Sequence, residues 1–219
     1  MRFYGARVFQ GGDRHARARE MVERGGCFPS ACICPRDGYA NPYGIEGFKT
    51  IAFEIFHQLG GRVPDRVFAP VGSGDGLYGI WKGFVELCRA GAASGTPRMY
   101  ACQASGANPY VRAFETRATH LTELASANTV ALSIAEPIGG EPALQALYES
   151  GGGALAVDDP VILDNAARLA RRGIALEPAS AAAVACARNL AATAAAGELW
   201  VAIGTGAACK WPNSLPQTE

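Results

Sequence analysis

The sequence has no surplus of charge of either sign, since 20 basic residues are balanced by 20 acidic ones within 219 residues. Proteins that bind nucleic acids through their phosphates carry an excess of Lys and Arg, so this balance argues against a nucleic-acid partner. The run from Asp13 to Glu20 is locally basic, but acidic residues flank it, and we interpret it as a solvated helix face. No apolar run approaches the roughly 20 residues that a membrane span needs, so we expect no membrane partner.

Metal-binding motifs are also missing from the cysteine pattern. Cys27, Cys32 and Cys34 form the only cluster among seven scattered cysteines. Their spacing fits no zinc motif, and no second pair or histidine follows at a ligand interval, so we expect no metal site. An odd number of cysteines without a signal-peptide pattern predicts free thiols in a reducing compartment, which makes a cytoplasmic location the expectation.

Hydrophobic residues make up 49% of the chain, and short apolar runs alternate with longer amphipathic ones. Strands are predicted over residues 6–9, 66–71, 98–104, 153–159 and 199–204. Helices are predicted over residues 13–24, 45–59, 77–90, 143–152 and 160–173, and in an alanine-rich segment stopped by Gly197. The polar stretch between residues 105 and 128 is expected to lack regular structure. This alternation predicts an α/β fold with a parallel sheet flanked by helices.

A glycine-rich loop, Gly72-Ser73-Gly74-Asp75-Gly76, connects a predicted strand to a predicted helix. Glycines let main-chain N–H groups close on an anion, and the N-terminus of the following helix adds partial positive charge, so the loop is typical of a phosphate cradle. It lacks the lysine of a P-loop and the spacing of a dinucleotide-binding fingerprint. The alternative is a tight turn in which Asp75 caps the helix, and an anion would require the Asp75 carboxylate to point away.

Several segments, in order, resemble the threonine synthases, which belong to the tryptophan-synthase-β-like (fold type II) pyridoxal-phosphate-dependent enzymes. The most specific are "NPYGIEGFKT" from Asn41, "QASGANP" from Gln103 and "EPASAAA" from Glu177; "PVGSGDG", "SGGGALAVDD" and "GTGAACKWP" accompany them. The resemblance implies the C-terminal portion of that architecture. Residues 1–45 would be a remnant of the N-terminal domain and its crossover loop, and residues 46–219 the domain that binds the cofactor phosphate.

The same resemblance implies a cofactor, pyridoxal 5'-phosphate, and the residues that hold it. The loop residues Gly72, Ser73, Gly74, Asp75 and Gly76 correspond to the family's phosphate-binding loop, and Thr205 corresponds to the threonine that faces the pyridine nitrogen. A hydroxyl at that place makes the cofactor a milder electron sink than a carboxylate would. The sequence departs from the family at Asp75 and at the alanines after Gly206. Whether Glu177 and Ser180 also contact the cofactor is left open by the sequence.

The largest departure concerns lysine, of which the sequence has three: Lys49, Lys82 and Lys210. The family's Schiff-base lysine lies in a Ser-x-Lys-Asp-Arg motif that is not found here, and the chain enters its first predicted strand abruptly. We therefore expect a truncated enzyme with no catalytic residue of its own, inactive alone in converting O-phosphohomoserine to threonine. Lys49 is expected at the start of a helix and Lys82 on a solvated face.

Alternative functions remain open at this point. The chain could resemble other lyases of the fold, the threonine dehydratases or cysteate synthases. It could also be a non-catalytic remnant or subunit that binds a phosphorylated ligand or a partner chain. By family, the expected partners are a phosphorylated amino-acid substrate and either a second copy of the chain or a missing N-terminal segment.

Overall fold

The computed structural model describes residues 2–30 and 41–210. The α-helices are α1 (Arg14–Glu23), α2 (Pro42–Gln58), α3 (Asp75–Arg89), α4 (Pro109–Glu115), α5 (Glu141–Glu149), α6 (Asp159–Ala170) and α7 (Pro178–Asn189). The strands are β1 (Arg66–Pro70), β2 (Arg98–Ala104), β3 (Gly153–Val157) and β4 (Trp200–Ala202). Short 3-10 helices cover Arg2–Tyr4, Leu132–Ile134, Ala191–Thr193 and Ala208–Lys210.

The four strands form one parallel sheet in the order β3-β2-β1-β4. Phe68 in β1 is paired with Tyr100 in β2 on one side and with Ala202 in β4 on the other. The predicted α/β class is therefore confirmed. Because all strands run the same way, the loops that follow β1 and β4 emerge at the same carboxyl edge of the sheet.

Helices cover both faces of the sheet, which is why its strands are apolar almost throughout. On one face, Val67 and Ala69 pack with α3 and α5 in a core that includes Leu77, Phe84, Met99 and Leu147. On the other face, Phe68 and Val157 pack with α6 and α7, and the core there includes Ile162, Ala182 and Cys186. The alternation along β1 follows from the period of two in a strand.

Helix α2 lies directly against α3 because two glycines of α3 remove the side chains between them. A Cβ atom at Gly79 would lie 2.5 Å from Cβ of Phe48, and one at Gly83 would lie 2.7 Å from Cβ of Ala52. The close approach fixes α2 over the helix that begins at the glycine-rich loop. The predicted domain boundary between residues 45 and 46 falls inside α2, and the division stays a prediction.

Two predicted elements differ from the structure at the ends of the chain. Residues 6–9 do not form the predicted strand: they are almost entirely exposed and have no strand partner among the described residues. The alanine-rich helix ends at Asn189, well before Gly197. The guanidinium of Arg66 donates to Thr193 Oγ1 at 3.1 Å and to the Thr193 carbonyl at 3.2 Å, and Thr193 lies in the 3-10 helix Ala191–Thr193 that follows α7.

The prediction of an irregular segment between residues 105 and 128 is wrong at its start, where α4 forms. Pro109 occupies the first turn of α4, a position where a missing N–H costs nothing, and Tyr110, Val111 and Ala113 are buried. Helix α4 thereby places Tyr110 next to the glycine-rich loop.

Five cysteines lie in the described part of the chain, and all five are free thiols, as predicted. Cys32 and Cys34, from the cluster in which no metal site is expected, lie outside the described residues. Across residues 2–30 and 41–210, no helix combines the length and the apolar character needed to cross a membrane.

Candidate cofactor site at the carboxyl edge of the sheet

The glycine-rich loop turns sharply between the end of β1 and the start of α3. Gly74 is the N-cap of α3 and has φ of 100°, a left-handed conformation that favours glycine. A side chain at Gly74 would overlap the Tyr110 hydroxyl and would come within 2.7 Å of Cβ of Ala143. The glycine is therefore required both by its backbone conformation and by its neighbours.

Polar side chains from β2 and α4 hold the carbonyl groups of this loop. The Ser73 carbonyl accepts a hydrogen bond from the Gly140 N–H at 2.7 Å and lies 2.8 Å from the Tyr110 hydroxyl. Gln103 is fully buried and donates through Nε2 to the Val71 carbonyl at 3.3 Å, while its Oε1 accepts from the Tyr110 N–H at 3.0 Å. These bonds fix the orientation of the peptide planes in the loop.

The N–H groups of the same loop have no such partners. Among the described residues, no backbone N–H from Gly72 through Gly76 donates a hydrogen bond to another group. The first of these amides belong to the loop and the last to the opening turn of α3, where the helix adds partial positive charge. Free donors of this kind at a helix N-terminus form a ready site for a phosphate or another anion.

Asp75 does not cap α3, so the alternative interpretation of the loop as a simple capped turn is wrong. Gly74 is the N-cap, and no side chain accepts a hydrogen bond at the start of this helix. Asp75 lies one residue later, partly buried, and burial raises the pKa of its carboxyl above the ordinary value of 3.8. Burial thus makes the charged form of this side chain less favourable than it is in water.

Thr205 lies in the turn after β4, and Ser180 of α7 organises that turn. Ser180 Oγ accepts the N–H groups of Thr205 and Gly206, both at 2.9 Å, and lies 3.0 Å from Thr205 Oγ1. Because two N–H groups occupy the lone pairs of Ser180 Oγ, its proton is available for Thr205 Oγ1. The Thr205 hydroxyl is then left free to donate its own proton to a ligand atom, and Thr205 is exposed at the edge of the sheet.

Glu177, at the start of α7, occupies the space beside the same turn. A Cβ atom at Gly206 would lie 2.5 Å from the carboxyl carbon of Glu177, so the turn requires glycine at this position. Glu177 is 2% exposed, and its Oε2 accepts a hydrogen bond from Ser133 at 3.0 Å. The next residue, Ala207, does not have a positive φ, so an alanine fits where the family often has another glycine.

The structure brings the two predicted halves of the site to one edge of the sheet. The Ile203 N–H donates to the Phe68 carbonyl at 2.9 Å, so the Thr205 turn emerges beside the loop that follows β1. The segment around Ile134 connects them: a Cβ atom at Gly72 would lie 3.3 Å from Cα of Ile134, and the preceding Ser133 contacts Glu177. The unpaired N–H groups of the loop and the Thr205 hydroxyl therefore share one surface.

Sequence reasoning missed two residues that shape this site, Gln103 and Tyr110, and left Ser180 and Glu177 unassigned. Gln103 opens the "QASGANP" segment and Glu177 opens "EPASAAA", so the motifs marked both places. The roles of these residues depend on long-range contacts that no local pattern contains.

Two of the three lysines, Lys49 and Lys82, are held in ion pairs. Lys49 lies in the middle of α2, contrary to the prediction that it opens a helix, and its Nζ bonds Glu46 and, at 2.8 Å, Glu86. The hydrogen bonds that Lys49 donates to Glu46 and Glu86 raise the pKa of Lys49. Lys82, predicted on a solvated face, keeps 34% of its side-chain exposure and is paired with Glu46. Lys210 is exposed in the last 3-10 helix.

Comparison with known proteins identifies threonine synthases among the relatives of this chain. The chain is 40% identical over 191 residues to the threonine synthase of Methanocaldococcus jannaschii, covering 86% of this chain and 46% of that protein. It is 42% identical over 180 residues to the threonine synthase of Methanosarcina acetivorans, covering 80% of this chain and 44% of that protein. The chain thus spans about half the length of these curated relatives.

Solved structures show the same fold at lower identity. The processed form of threonine deaminase isoform 2 from Solanum lycopersicum superposes with a TM-score of 0.70 at 24% identity, covering 88% of this chain and 52% of that one. A fungal L-serine ammonia-lyase from Rhizomucor miehei gives a TM-score of 0.71 at 22% identity, covering 88% of this chain and 58% of that one. The sequence profile described as "Pyridoxal-phosphate dependent enzyme" matches residues 1–206. The chain therefore belongs to the family of pyridoxal-phosphate-dependent enzymes.

Proposed function

We propose that this chain provides the phosphate- and ring-binding surface for pyridoxal phosphate in a threonine synthase-like reaction, the conversion of O-phosphohomoserine to threonine and phosphate. The observation that carries the proposal is the free N–H groups of the Gly72–Gly76 loop at the same sheet edge as the Thr205 hydroxyl. The cofactor phosphate would accept from those N–H groups. Relatives at 40% and 42% identity named threonine synthase favour this reaction over the other lyases of the fold.

Pyridoxal phosphate, when bound, supplies an electron sink for charge that develops on the substrate carbon. Within this chain, the role of Thr205 would be to donate a neutral hydrogen bond to the pyridine nitrogen. Ser180 would keep that hydroxyl in place by donating to Thr205 Oγ1 while holding the backbone of the turn. Because the donor is a hydroxyl and not an acid, the ring nitrogen would not be fully protonated.

The binding part of the proposal is tested with Thr205→Val, which keeps the shape of the side chain and removes its hydroxyl. We expect weaker binding of pyridoxal phosphate and unchanged binding of inorganic phosphate, since the phosphate contacts only the glycine loop. Loss of one buried hydrogen bond of about 1 kcal/mol corresponds to roughly a fivefold change. Thr205→Ser is the matched control, and it should bind both ligands as the wild-type chain does. Equal affinity of Thr205→Val for pyridoxal phosphate would contradict the role of the hydroxyl.

We also propose that the chain alone does not turn over O-phosphohomoserine. A lysine that forms a Schiff base with the cofactor must be a free, deprotonated amine beside it. Lys49 on α2 and Lys82 on α3 are instead held in ion pairs. After addition of pyridoxal phosphate, borohydride should fix no cofactor to the protein, and no threonine should form. Covalent fixation to Lys210, or threonine production by the purified chain, would overturn this part of the proposal.

The ion-paired lysines favour a second candidate function, a non-catalytic chain that binds a phosphorylated ligand or a partner chain. Both candidates need the Gly72–Gly76 cup, so phosphate binding does not separate them. They differ in the Thr205 turn: a generic phosphorylated ligand has no pyridine nitrogen, and Thr205→Val would then leave its affinity unchanged. The affinity ratio of pyridoxal phosphate to phenyl phosphate, measured for wild type and Thr205→Val, distinguishes the two.

A further inference from the structure

A cleft of about 540 Å³ lies between α6 and α7, away from the carboxyl edge of the sheet. Helix α7 begins beside the Thr205 turn, where the Glu177 N–H donates to the Gly206 carbonyl at 3.0 Å, and the cleft is lined by the second halves of both helices. Arg188 is eight residues beyond Ser180 on α7, which corresponds to about 12 Å along a helix axis. The cleft is therefore separate from the cofactor site.

Four arginines line this cleft: Arg168, Arg171, Arg172 and Arg188. Arg168 is paired with Asp164, its Nε lying 2.6 Å from Asp164 Oδ2. The guanidinium groups of the other three make no ion pair or hydrogen bond within the residues that the structure describes. One cation at each helix C-terminus would be enough to offset the helix dipoles, so three unpaired guanidiniums in one concave surface leave an excess of positive charge.

A buried polar atom in the same cleft also lacks a partner. Asn165 lines the cleft and is 5% exposed. Its Nδ2 donates to the Val161 carbonyl at 2.8 Å, but its Oδ1 has no hydrogen-bond partner in the described part of the chain. Buried polar groups without partners are rare in folded proteins, so a ligand donor that reaches Asn165 Oδ1 from the cleft would satisfy it.

We propose that this cleft is a second ligand site, for a small phosphate monoester that carries a hydroxyl or N–H donor. The planar guanidiniums of Arg171, Arg172 and Arg188 suit the oxygens of a phosphate, which they can engage in paired hydrogen bonds. Three unpaired cations favour a dianion over a single carboxylate. The donor on the ligand would satisfy Asn165 Oδ1, and the volume is in the range of small-molecule pockets.

The experiment measures the affinity of the full chain for glycerol 3-phosphate by calorimetry at fixed ionic strength. The double variant R172Q/R188Q removes two exposed guanidiniums, and we expect its affinity to fall at least tenfold, since each charge-assisted hydrogen bond contributes about a factor of ten. R89Q is the matched control because Arg89 is likewise exposed in the last turn of a helix. Its affinity should change less than about twofold, as for a surface charge outside the site.

Two outcomes would overturn the proposal. Because the Gly72–Gly76 loop can bind the same phosphate ester, the wild-type chain should bind two molecules and R172Q/R188Q only one, and an unchanged stoichiometry would show that the cleft is not a site. An equal loss in R172Q/R188Q and R89Q would show nonspecific attraction between the anion and a basic surface.

The role of Asn165 is tested by comparing glycerol 3-phosphate with propyl phosphate, which has the same carbon chain without hydroxyls. The wild-type chain should prefer glycerol 3-phosphate, and Asn165→Leu should lose that preference while keeping its affinity for propyl phosphate. Retained binding of propyl phosphate also shows that the variant is folded. Equal wild-type affinity for both compounds would contradict a donor contact at Asn165.

Discussion

Replacement of Ser180 by alanine is the sharpest test of how the site is built. Ser180 Oγ is fully buried and accepts two backbone N–H groups at 2.9 Å, so the substitution removes two hydrogen bonds and leaves two amides of the Thr205 turn without their partner. Each bond has a net value of about 1 kcal/mol, so we expect the free energy of unfolding to fall by about 2 kcal/mol. For a domain of this size that corresponds to a Tm lower by about 4–8 °C.

The measurement is equilibrium unfolding in urea, followed by tryptophan fluorescence, to which Trp200 in the adjacent strand β4 contributes. Ser133→Ala is the matched control: it removes one hydroxyl bond, to Glu177 at 3.0 Å, and should cost about half as much. Ser180→Ala should also weaken binding of pyridoxal phosphate, because the Thr205 hydroxyl would lose the group that orients it. A loss of less than about 0.5 kcal/mol, together with unchanged cofactor affinity, would refute the inferred role of Ser180.

Three further predictions concern the loop and the pH dependence of stability. Tyr110→Phe removes the hydroxyl 2.8 Å from the Ser73 carbonyl and should lower the affinity for phosphate, measured by calorimetric titration. The control Tyr148→Phe removes an equivalent bond to the Ala118 carbonyl at 2.8 Å and should leave that affinity unchanged. Burial raises the pKa of Asp75, so protonation of this carboxyl stabilises the folded chain. The free energy of unfolding should fall as pH rises from 3.8 through the raised pKa. Asp75→Asn should therefore unfold at a higher urea concentration than wild type at pH 7 but not at pH 3. Burial tends to raise the pKa of Glu198, but hydrogen bonds from Trp200 and from arginines lower it from 4.5 to about 2. The contribution of Glu198 to the free energy of unfolding is therefore complete above pH 4.5 and is lost towards pH 2. Glu198→Gln should flatten that part of the stability profile, measured by acid unfolding.

Each of these three predictions would be contradicted by a specific result. Equal phosphate affinity of Tyr110→Phe and wild type would show that the hydroxyl does not hold the loop. A constant difference between Asp75→Asn and wild type at all pH values would exclude titration of this carboxyl as the cause. A stability profile of Glu198→Gln that keeps the acid slope of the wild type would assign that slope to other carboxyls.

The parallel sheet could be predicted from the sequence because each of its elements has a local signature. The β1 segment is a short apolar run followed by glycines, and the amphipathic α3 follows within a few residues. Residues 6–9 have a similar apolar rhythm, but no strand of the described chain lies beside them, and a strand needs a partner. Helix α4 was missed because its seven residues are too few for a clear period, and its stability comes from the burial of Tyr110 and its neighbours.

The candidate site could be predicted in part, because some of its segments also have a local signature. The glycine loop and Thr205 lie in motifs, so the resemblance located both. The bonds that shape them, from Gln103 to the Val71 carbonyl and from Ser180 to the Thr205 turn, join residues 32 and 25 positions apart. Such pairs depend on which strands become neighbours, and that information is not present in any short stretch of sequence.

The contacts of the Ser73 carbonyl have a consequence for how quickly an anion can enter and leave. Because Gly140 and Tyr110 hold this carbonyl from the protein side, the loop has its binding geometry before any ligand arrives. If the loop keeps this geometry when the anion binds, association should proceed at a rate set by diffusion and charge. Differences in affinity among loop variants would then be found almost entirely in the dissociation rate.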